Sequence, residues 1–392
     1  MNKLWTPCFI LDEEKLKHNI EMMHKALKET WGNYIIGYSY KTNSLPWIIS
    51  YLKNSEFYAE VVSDFEYKLA EKIGYKEENI IFNGPNKSRD IFIRSVKHGS
   101  IVNIDSNREI EWLKEEHFDD IAKLGIRVNF NLEKECPGQT AMGMEGGRFG
   151  FSLENGDLIR AIKEINSIEN VEVVGIHLHN SSKTRSLSIY ECLAKKACEI
   201  SKLFNYEISY IDIGGGFLGG LENKPSYYEY MKKISDELEK SFNRERTKII
   251  IEPGAALIAL PISFLCEVVD VKDTYAKRIV TVNGSRNNID PLMAKSNYFY
   301  EIISNTKKEN IKEQVICGYT CMENDRLMKI LDKEELSIGD KLLFDKVGSY
   351  TMCLSPLFIE YFPKVYLKKI DSQYICIREK WSVNEYIQKC SF

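Results

Sequence analysis

The stretch Ile208-Ser209-Tyr210-Ile211-Asp212-Ile213-Gly214-Gly215-Gly216-Phe217 is a β-branched, mostly apolar run that stops on three consecutive glycines. Such a run predicts a strand buried on both faces of a parallel sheet. Glycines at its end let backbone N–H groups converge without a Cβ in the way, so the turn either collects an anion or is simply a turn. Seven more runs of this kind surround it: Tyr34–Tyr40, Phe57–Val62, Asn79–Asn83, Ser100–Ile104, Leu124–Phe130, Val171–Leu178 and Lys248–Ile251. Helical patterns lie between them, among them Leu45–Lys53, Asp64–Ile73, Asp157–Ile168, Leu187–Phe204 and Tyr227–Ser241. Ser63 with Glu66 and Ser106 with Glu109 have capping-box spacing. Eight β/α units in roughly 220 residues predict a (β/α)8 TIM barrel, usual size about 250 residues, over an open doubly wound sheet.

After about Pro261 helical periodicity thins and strand-like runs take over, at Ile262–Val271, Arg278–Val282, Gln314–Ile316, Lys341–Phe344, Val365–Leu367 and Tyr374–Arg378. The chain therefore reads as α/β, a barrel followed by a mainly β C-terminal domain. The expected division is an N-terminal strand and helix over 1–25, the barrel over 26–260 and the β domain over 261–392. The strand Trp5–Leu11 is expected to join that β domain. With 392 residues, 44% hydrophobic and 28% charged, the chain has material for a sizeable core. A net charge of −4 gives no reason to expect nucleic acid or an anionic membrane as partner. No stretch approaches the roughly 20 apolar residues that span a bilayer. The opening Met1–Pro7 soon meets Asp12, Glu13 and Glu14 and lacks the apolar region of a secretory leader. Ten scattered cysteines with no paired C-x-x-C set point to a reducing, cytoplasmic setting without a structural zinc.

Chemistry in such a barrel sits at the C-terminal ends of the strands. Lys41 ends the first, in Tyr38-Ser39-Tyr40-Lys41-Thr42-Asn43. It is either a desolvated amine able to act as a nucleophile or a surface lysine that ends a strand. Glu252-Pro253-Gly254 ends the eighth. A carboxylate there needs a cation, either a protonated ring nitrogen or an Arg or Lys. His177 and His179, at i and i+2 on the sixth strand, share a face. No third metal ligand at sensible spacing accompanies them, so no metal site is expected and His179 reads as a stacking or hydrogen-bonding group.

Taken in order, these segments resemble the fold-type III pyridoxal-5′-phosphate (PLP) decarboxylases, the group of ornithine and diaminopimelate decarboxylases with an alanine racemase-like fold. Tyr40-Lys41-Thr42-Asn43 is similar to the family's Tyr-Ala-Val-Lys-Ala-Asn, His179-Asn180-Ser181-Ser182 to His-x-Gly-Ser, and Arg148-Phe149-Gly150 to Arg/Lys-Phe-Gly. Gly214–Gly216 and Glu252-Pro253-Gly254 match the family's glycines and its Glu-Pro-Gly. Cys317 to Asp325 resembles Cys-Gly-Pro-x-Cys…Asp, and Val347 to Thr351 the Gly-Ala-Tyr segment.

The resemblance implies PLP held as a Schiff base by Lys41, with His179 on the ring, Ser182 and the three glycines at the phosphate, Glu252 at the pyridine nitrogen and Tyr350 close by. It implies Cys321 as the proton donor, reaching across a homodimer whose subunits share active sites. It also implies an amino-acid-type substrate. The family's diaminopimelate enzymes carry arginines where this chain has Ala255 and Asp290, and an acidic residue where it has Met322. A substrate other than diaminopimelate or ornithine is therefore expected, with Asp290, Glu323 and Asp325 as candidate contacts to it. A racemase on the same fold and a non-catalytic PLP-binding protein are the alternatives. The Cys-Gly-x-x-Cys segment favours decarboxylation over the first, and the long β domain counts against the second.

Overall fold

In a computed structural model, which describes residues 4–221, 223–304, 306 and 308–391, the chain divides into two compact units. One runs from Asn19 to Ala256, and the other joins the residues up to His18 with those from Leu257 on. Of the N-terminal segment read above for a leader, Met1 to Lys3 lie outside the described residues, as does Phe392.

The first unit is a closed parallel barrel. Its eight strands are Tyr34–Ser39, Tyr58–Val61, Ile80–Phe82, Ile101–Ile104, Ala122–Asn129, Val171–His177, Tyr210–Asp212 and Lys248–Ile251. The eighth pairs back onto the first (Ile250 with Ile35), and the fourth pairs with the fifth (Ile104 with Ile126). Each of the eight expected runs is found; six are shortened, the fifth starts two residues earlier at Ala122, and the eighth keeps its bounds.

The helices start where the capping chemistry placed them. Ser63 Oγ accepts from Glu66 N at 3.2 Å, and Ser106 with Glu109 forms a reciprocal box. The helix Asp64–Ile73 stops at Gly74, whose φ of +90° suits a residue without Cβ.

Inside the barrel, Ile35, Ile81, Val174, Tyr210 and Ile250 form one apolar cluster. Tyr210 is the large member, and its space comes from two glycines on neighbouring strands. A Cβ at Gly175 would run into its ring, and one at Gly125 into its hydroxyl. That hydroxyl donates to Asn103 Oδ1 at 3.0 Å. The apolar filling thus ends in a polar layer on one side, and the candidate site is built from that layer.

The second unit is a mainly β sheet around the long strand Ile262–Asp273. The N-terminal strand Cys8–Asp12 pairs antiparallel with it (Phe9 with Phe264) and parallel with Lys364–Lys368 (Phe9 with Val365). Arg278–Val282 and Lys341–Asp345 lie on other stretches of the central strand. Two strands absent from the sequence reading, Phe299–Ile303 and Arg326–Glu334, complete the sheet. Phe299–Ile303 has no buried residue, and in Arg326–Glu334 the buried Leu327, Met328 and Ile330 are broken up by charged residues, so neither shows the apolar run of a buried strand. No helix among the described residues is long and apolar enough to cross a membrane.

Candidate active site

Lys41 follows the first barrel strand on a short 3-10 turn, Tyr40–Thr42. Its Nζ lies 3.1 Å from Glu60 Oε2 on the second strand, and that carboxylate is 1% exposed. Ser39 Oγ donates to the same oxygen at 2.5 Å, and Asn83 Nδ2 to the other at 3.0 Å. Asn83, just past the third strand, also donates to Glu252 Oε1. Asn103 Nδ2, on the fourth strand, donates to Asn83 Oδ1 at 2.8 Å and to Asp212 Oδ2 at 3.2 Å. A continuous hydrogen-bonded path thus runs from the Lys41 amine to the carboxylates that end the seventh and eighth strands. It requires polar residues in or just past six apolar strands, and each gives up hydration to be there.

The three glycines lock onto the same layer. Gly214 N donates to Asp212 Oδ1 at 2.8 Å, Gly215 N to His179 Nδ1 at 3.2 Å, and Glu252 N to Gly214 O at 2.8 Å. Side chains cannot replace them. A Cβ on Gly214, at φ +73°, would enter the His179 ring, and one on Gly215 would strike the carbonyl oxygen of Glu252. The turn is therefore bare backbone packed against His179 and Glu252.

Charge in this layer is unbalanced. Glu60, Asp212 and Glu252 are all buried beside a single amine. Burial first, and then the charges of Asp212 and Glu60, hold the Glu252 carboxyl well above the ordinary carboxylate range. Burial pushes the Asp212 carboxyl up to about 7, with the charge of Glu60 adding to it. Burial pushes His179 down to about 3, helped by the charges of Arg127 and Lys41, so its ring is neutral at pH 7. His177 is likewise held well below the usual histidine range by burial.

Asp212 has a consequence for stability. The folded chain keeps a proton on this carboxyl between about pH 4 and about pH 7, where the unfolded chain has lost it. The stability this contributes is present below about pH 4 and lost as pH rises through that window. Asp212→Asn removes the titration. In denaturant melts of the cofactor-free protein, the variant is expected to gain on the parent as pH rises from 4 to 7. The gain is at most about 4 kcal/mol, from about 1.4 kcal/mol per pH unit. A constant difference across that range contradicts the assignment.

A cation added to this layer would relieve it. His177 Nε2 stands 3.7 Å from Glu252 Oε2, and ligand atoms of His177, Asp212 and Glu252 lie within 4.8 Å of one another. His179 is not part of this group, so the histidine pair itself still has no third ligand. Two carboxylates reach His177 from strands distant in sequence, and spacing along the chain could not show that. PLP also fits these residues, and it uses more of them. An amine stands at the head of the hydrogen-bonded path, a glycine turn without Cβ atoms leaves room for a phosphate, a neutral imidazole offers a ring face, and Glu252 lacks the cation a pyridinium would bring.

The other sequence candidates are placed differently. The Ser182 hydroxyl is engaged by Gln139 O at 3.3 Å and Arg185 N at 2.9 Å, so it ties two loops together instead of being left for a phosphate. In the second unit, Cys321 is exposed on the turn after the strand Asn310–Cys317, beside a half-exposed Met322. Asp325 clips that turn, its oxygens accepting from Ser285 Oγ, Arg286 N, Thr320 N and Thr320 Oγ1. Asp290 is 4% exposed and takes Arg286 through two nitrogens at 3.1 and 3.0 Å, together with Tyr298 Oη, Ala294 N and Lys295 N. Its oxygens are thus used to hold its own loop, which counts against the expectation that it contacts the substrate. Glu323 is a solvated surface carboxylate 3.3 Å from Arg326. Tyr350 is 41% exposed at φ +55°.

Sequence reasoning missed Glu60, Asn83, Asn103, Asp212 and Arg127. The signal was a polar residue interrupting or ending an apolar strand, as in Tyr58-Ala59-Glu60-Val61 and Ile80-Ile81-Phe82-Asn83.

Comparison with known proteins agrees with this geometry. Residues 16–259 match the model of the pyridoxal-dependent decarboxylase pyridoxal-binding domain, and residues 260–348 that of the C-terminal sheet domain of the same decarboxylases. The diaminopimelate decarboxylase of Methanocaldococcus jannaschii is 27% identical over 370 residues, covering 90% of this chain and 84% of that one. That of Aquifex aeolicus is 26% identical over 357 residues, covering 89% and 83%. The solved structure of the M. jannaschii enzyme in complex with L-lysine superposes with a TM-score of 0.86 at 25% identity, covering 99% of this chain and 92% of that one.

Proposed function

The chain belongs to the pyridoxal-dependent decarboxylase family, and from that premise we propose that it removes the α-carboxyl group of an amino acid as CO2 in the barrel layer around Lys41. The observation that carries this is the path from Lys41 through Glu60 and Asn83 to Glu252, beside the triglycine turn. Lys41 would hold PLP by its aldehyde, the glycine turn its phosphate, His179 a ring face and Glu252 the ring nitrogen. When bound, the cofactor supplies a sink for the electron pair left on the α-carbon as CO2 departs. Glu60 holds the Lys41 ammonium when the amine is free, and Asn83 fixes Glu60 and Glu252 in one geometry. Cys321, exposed and solvent-reachable, is assigned delivery of the proton to the α-carbon from the second subunit of a homodimer. Exposed Leu354, Leu357, Phe358 and Ile359, close in sequence to Tyr350, support a face for that second copy.

The relatives' names point to diaminopimelate, which is the substrate to test first. The expectation of a different substrate rests on Ala255, Asp290 and Met322 alone, and no comparison supports it. The purified protein with PLP is expected to release CO2 from at least one of diaminopimelate, lysine, ornithine, arginine and glutamate, with matching amine product. Inversion at the α-carbon without CO2 would instead establish a racemase. Bound PLP with neither reaction on any amino acid or conjugate would establish a binding protein.

A further inference from the structure

Two cysteines face each other on the barrel unit. Cys136 ends the short helix Leu132–Glu135 that follows the fifth strand, and Cys192 lies in the helix Leu187–Ile200 that follows the sixth. The Cys136 thiol points at Cys192 Sγ from 3.0 Å, and both are free thiols. A bonded pair stands at about 2 Å, so closure needs a movement of about 1 Å. Cys136 is buried, whereas Cys192 is only half-buried. They are 56 residues apart, so no spacing in the sequence marks the pair. The pair sits at the root of two rim loops that are zipped together. Gln139 O accepts from Lys183 N at 2.8 Å, Ala141 N donates to Ser181 O at 3.0 Å, and Thr140 forms an isolated β-bridge with Ser182. Gln139 Oε1 accepts from Thr184 Oγ1 at 2.9 Å and from Ser188 Oγ at 3.3 Å. The first loop then runs through exposed Met142, Met144 and Arg148 towards Phe151.

We propose that Cys136 and Cys192 are a redox-closable site, in which a disulfide between them fastens the two rim loops when a small-molecule disulfide such as oxidised glutathione reaches Cys192. The Cys192 thiolate attacks one sulfur of the oxidant, whose S–S bond breaks and releases one glutathione thiolate, protonated in water. The Cys136 thiolate then attacks the Cys192 sulfur of the mixed disulfide and displaces the second glutathione. The two protein thiols lose two protons and two electrons, and the oxidant becomes two glutathione thiols. Burial first, then contact with Cys192 and the charges of Glu135 and Glu191, push the Cys136 thiol up to about 12, so the second exchange is the slow one. Once the bond is closed, local opening of the zipped loops must keep residues 136 and 192 together, which removes the most extended open states. The site stands whether or not the barrel layer decarboxylates an amino acid.

The test treats the full-length protein with oxidised glutathione, blocks the remaining thiols with iodoacetamide and maps the peptides by mass spectrometry. A peptide pair linked through residues 136 and 192 is expected, and dithiothreitol should abolish it. Exposed Cys321, Cys353 and Cys390 can carry glutathione as separate adducts, so the linked pair is the readout and total oxidation is not. Tryptic cleavage after Arg148 is expected to slow at least about fivefold in the oxidised parent and to recover with dithiothreitol. In Cys192→Ser the cleavage rate should be the same with and without the oxidant. A treated parent without the 136–192 link overturns the site. A link that leaves cleavage after Arg148 unchanged overturns the fastening of the loops, and so does protection that persists in Cys192→Ser.

Discussion

Lys41→Ala is expected to abolish turnover, with kcat reduced at least about 10³-fold, the scale on which loss of an essential nucleophile is felt. The amine stands at the head of a hydrogen-bonded path from the barrel rim to Glu252. A shorter side chain there also leaves Glu60 buried without the cation 3.1 Å away, although Ser39 and Asn83 still hold its oxygens. The fold should therefore survive. The decisive readout is covalent. Borohydride reduction of the PLP-loaded parent should leave a pyridoxyl mass on the peptide containing residue 41, and the variant should carry none. A variant that is still labelled, or that turns over within tenfold of the parent, would remove Lys41 from the mechanism.

Glu252→Gln separates charge from shape. Glutamine keeps the volume and can still accept from Asn83, so the packing of the glycine turn against residue 252 is retained. What it cannot do is ionise. In the parent, Asp212 and Glu60 oppose ionisation of Glu252, and a cationic ring nitrogen brought by PLP is the charge that would reverse this. The variant is expected to bind PLP at least about tenfold more weakly and to lose about 10²- to 10³-fold in kcat, the usual cost of removing one preorganised electrostatic partner. A variant within threefold of the parent in both respects would show that the carboxylate serves only to hold the barrel together.

Much of this architecture could be read from apolar runs alone. A parallel strand buried on both faces shows itself as an unbroken β-branched segment, and the residue that ends it is then a marked position. Lys41, His179, Gly214 and Glu252 were reached in that way. Glu60 and Asn103 were not, because each interrupts a strand as a single polar residue, and only the closed barrel shows that these interruptions face one another. Asp290 is a different case. Its partner Arg286 stands four residues back on a helical turn, a spacing visible in the sequence, but the three further donors that complete its shell come from the following loop. Ser182 matches a motif by position, yet Gln139 and Arg185 take its hydroxyl.

The strand Cys8–Asp12 lies between two strands that come more than 250 and more than 350 residues later. During synthesis the earliest element must wait for the last to emerge, while the whole barrel forms in between. Its Phe9 and Leu11 are buried against partners that do not yet exist at that time. The nascent chain therefore carries an exposed apolar strand through most of its translation, which is a chaperone-binding and edge-pairing hazard. Deletion of those few residues would leave the finished sheet with two open edges facing a gap.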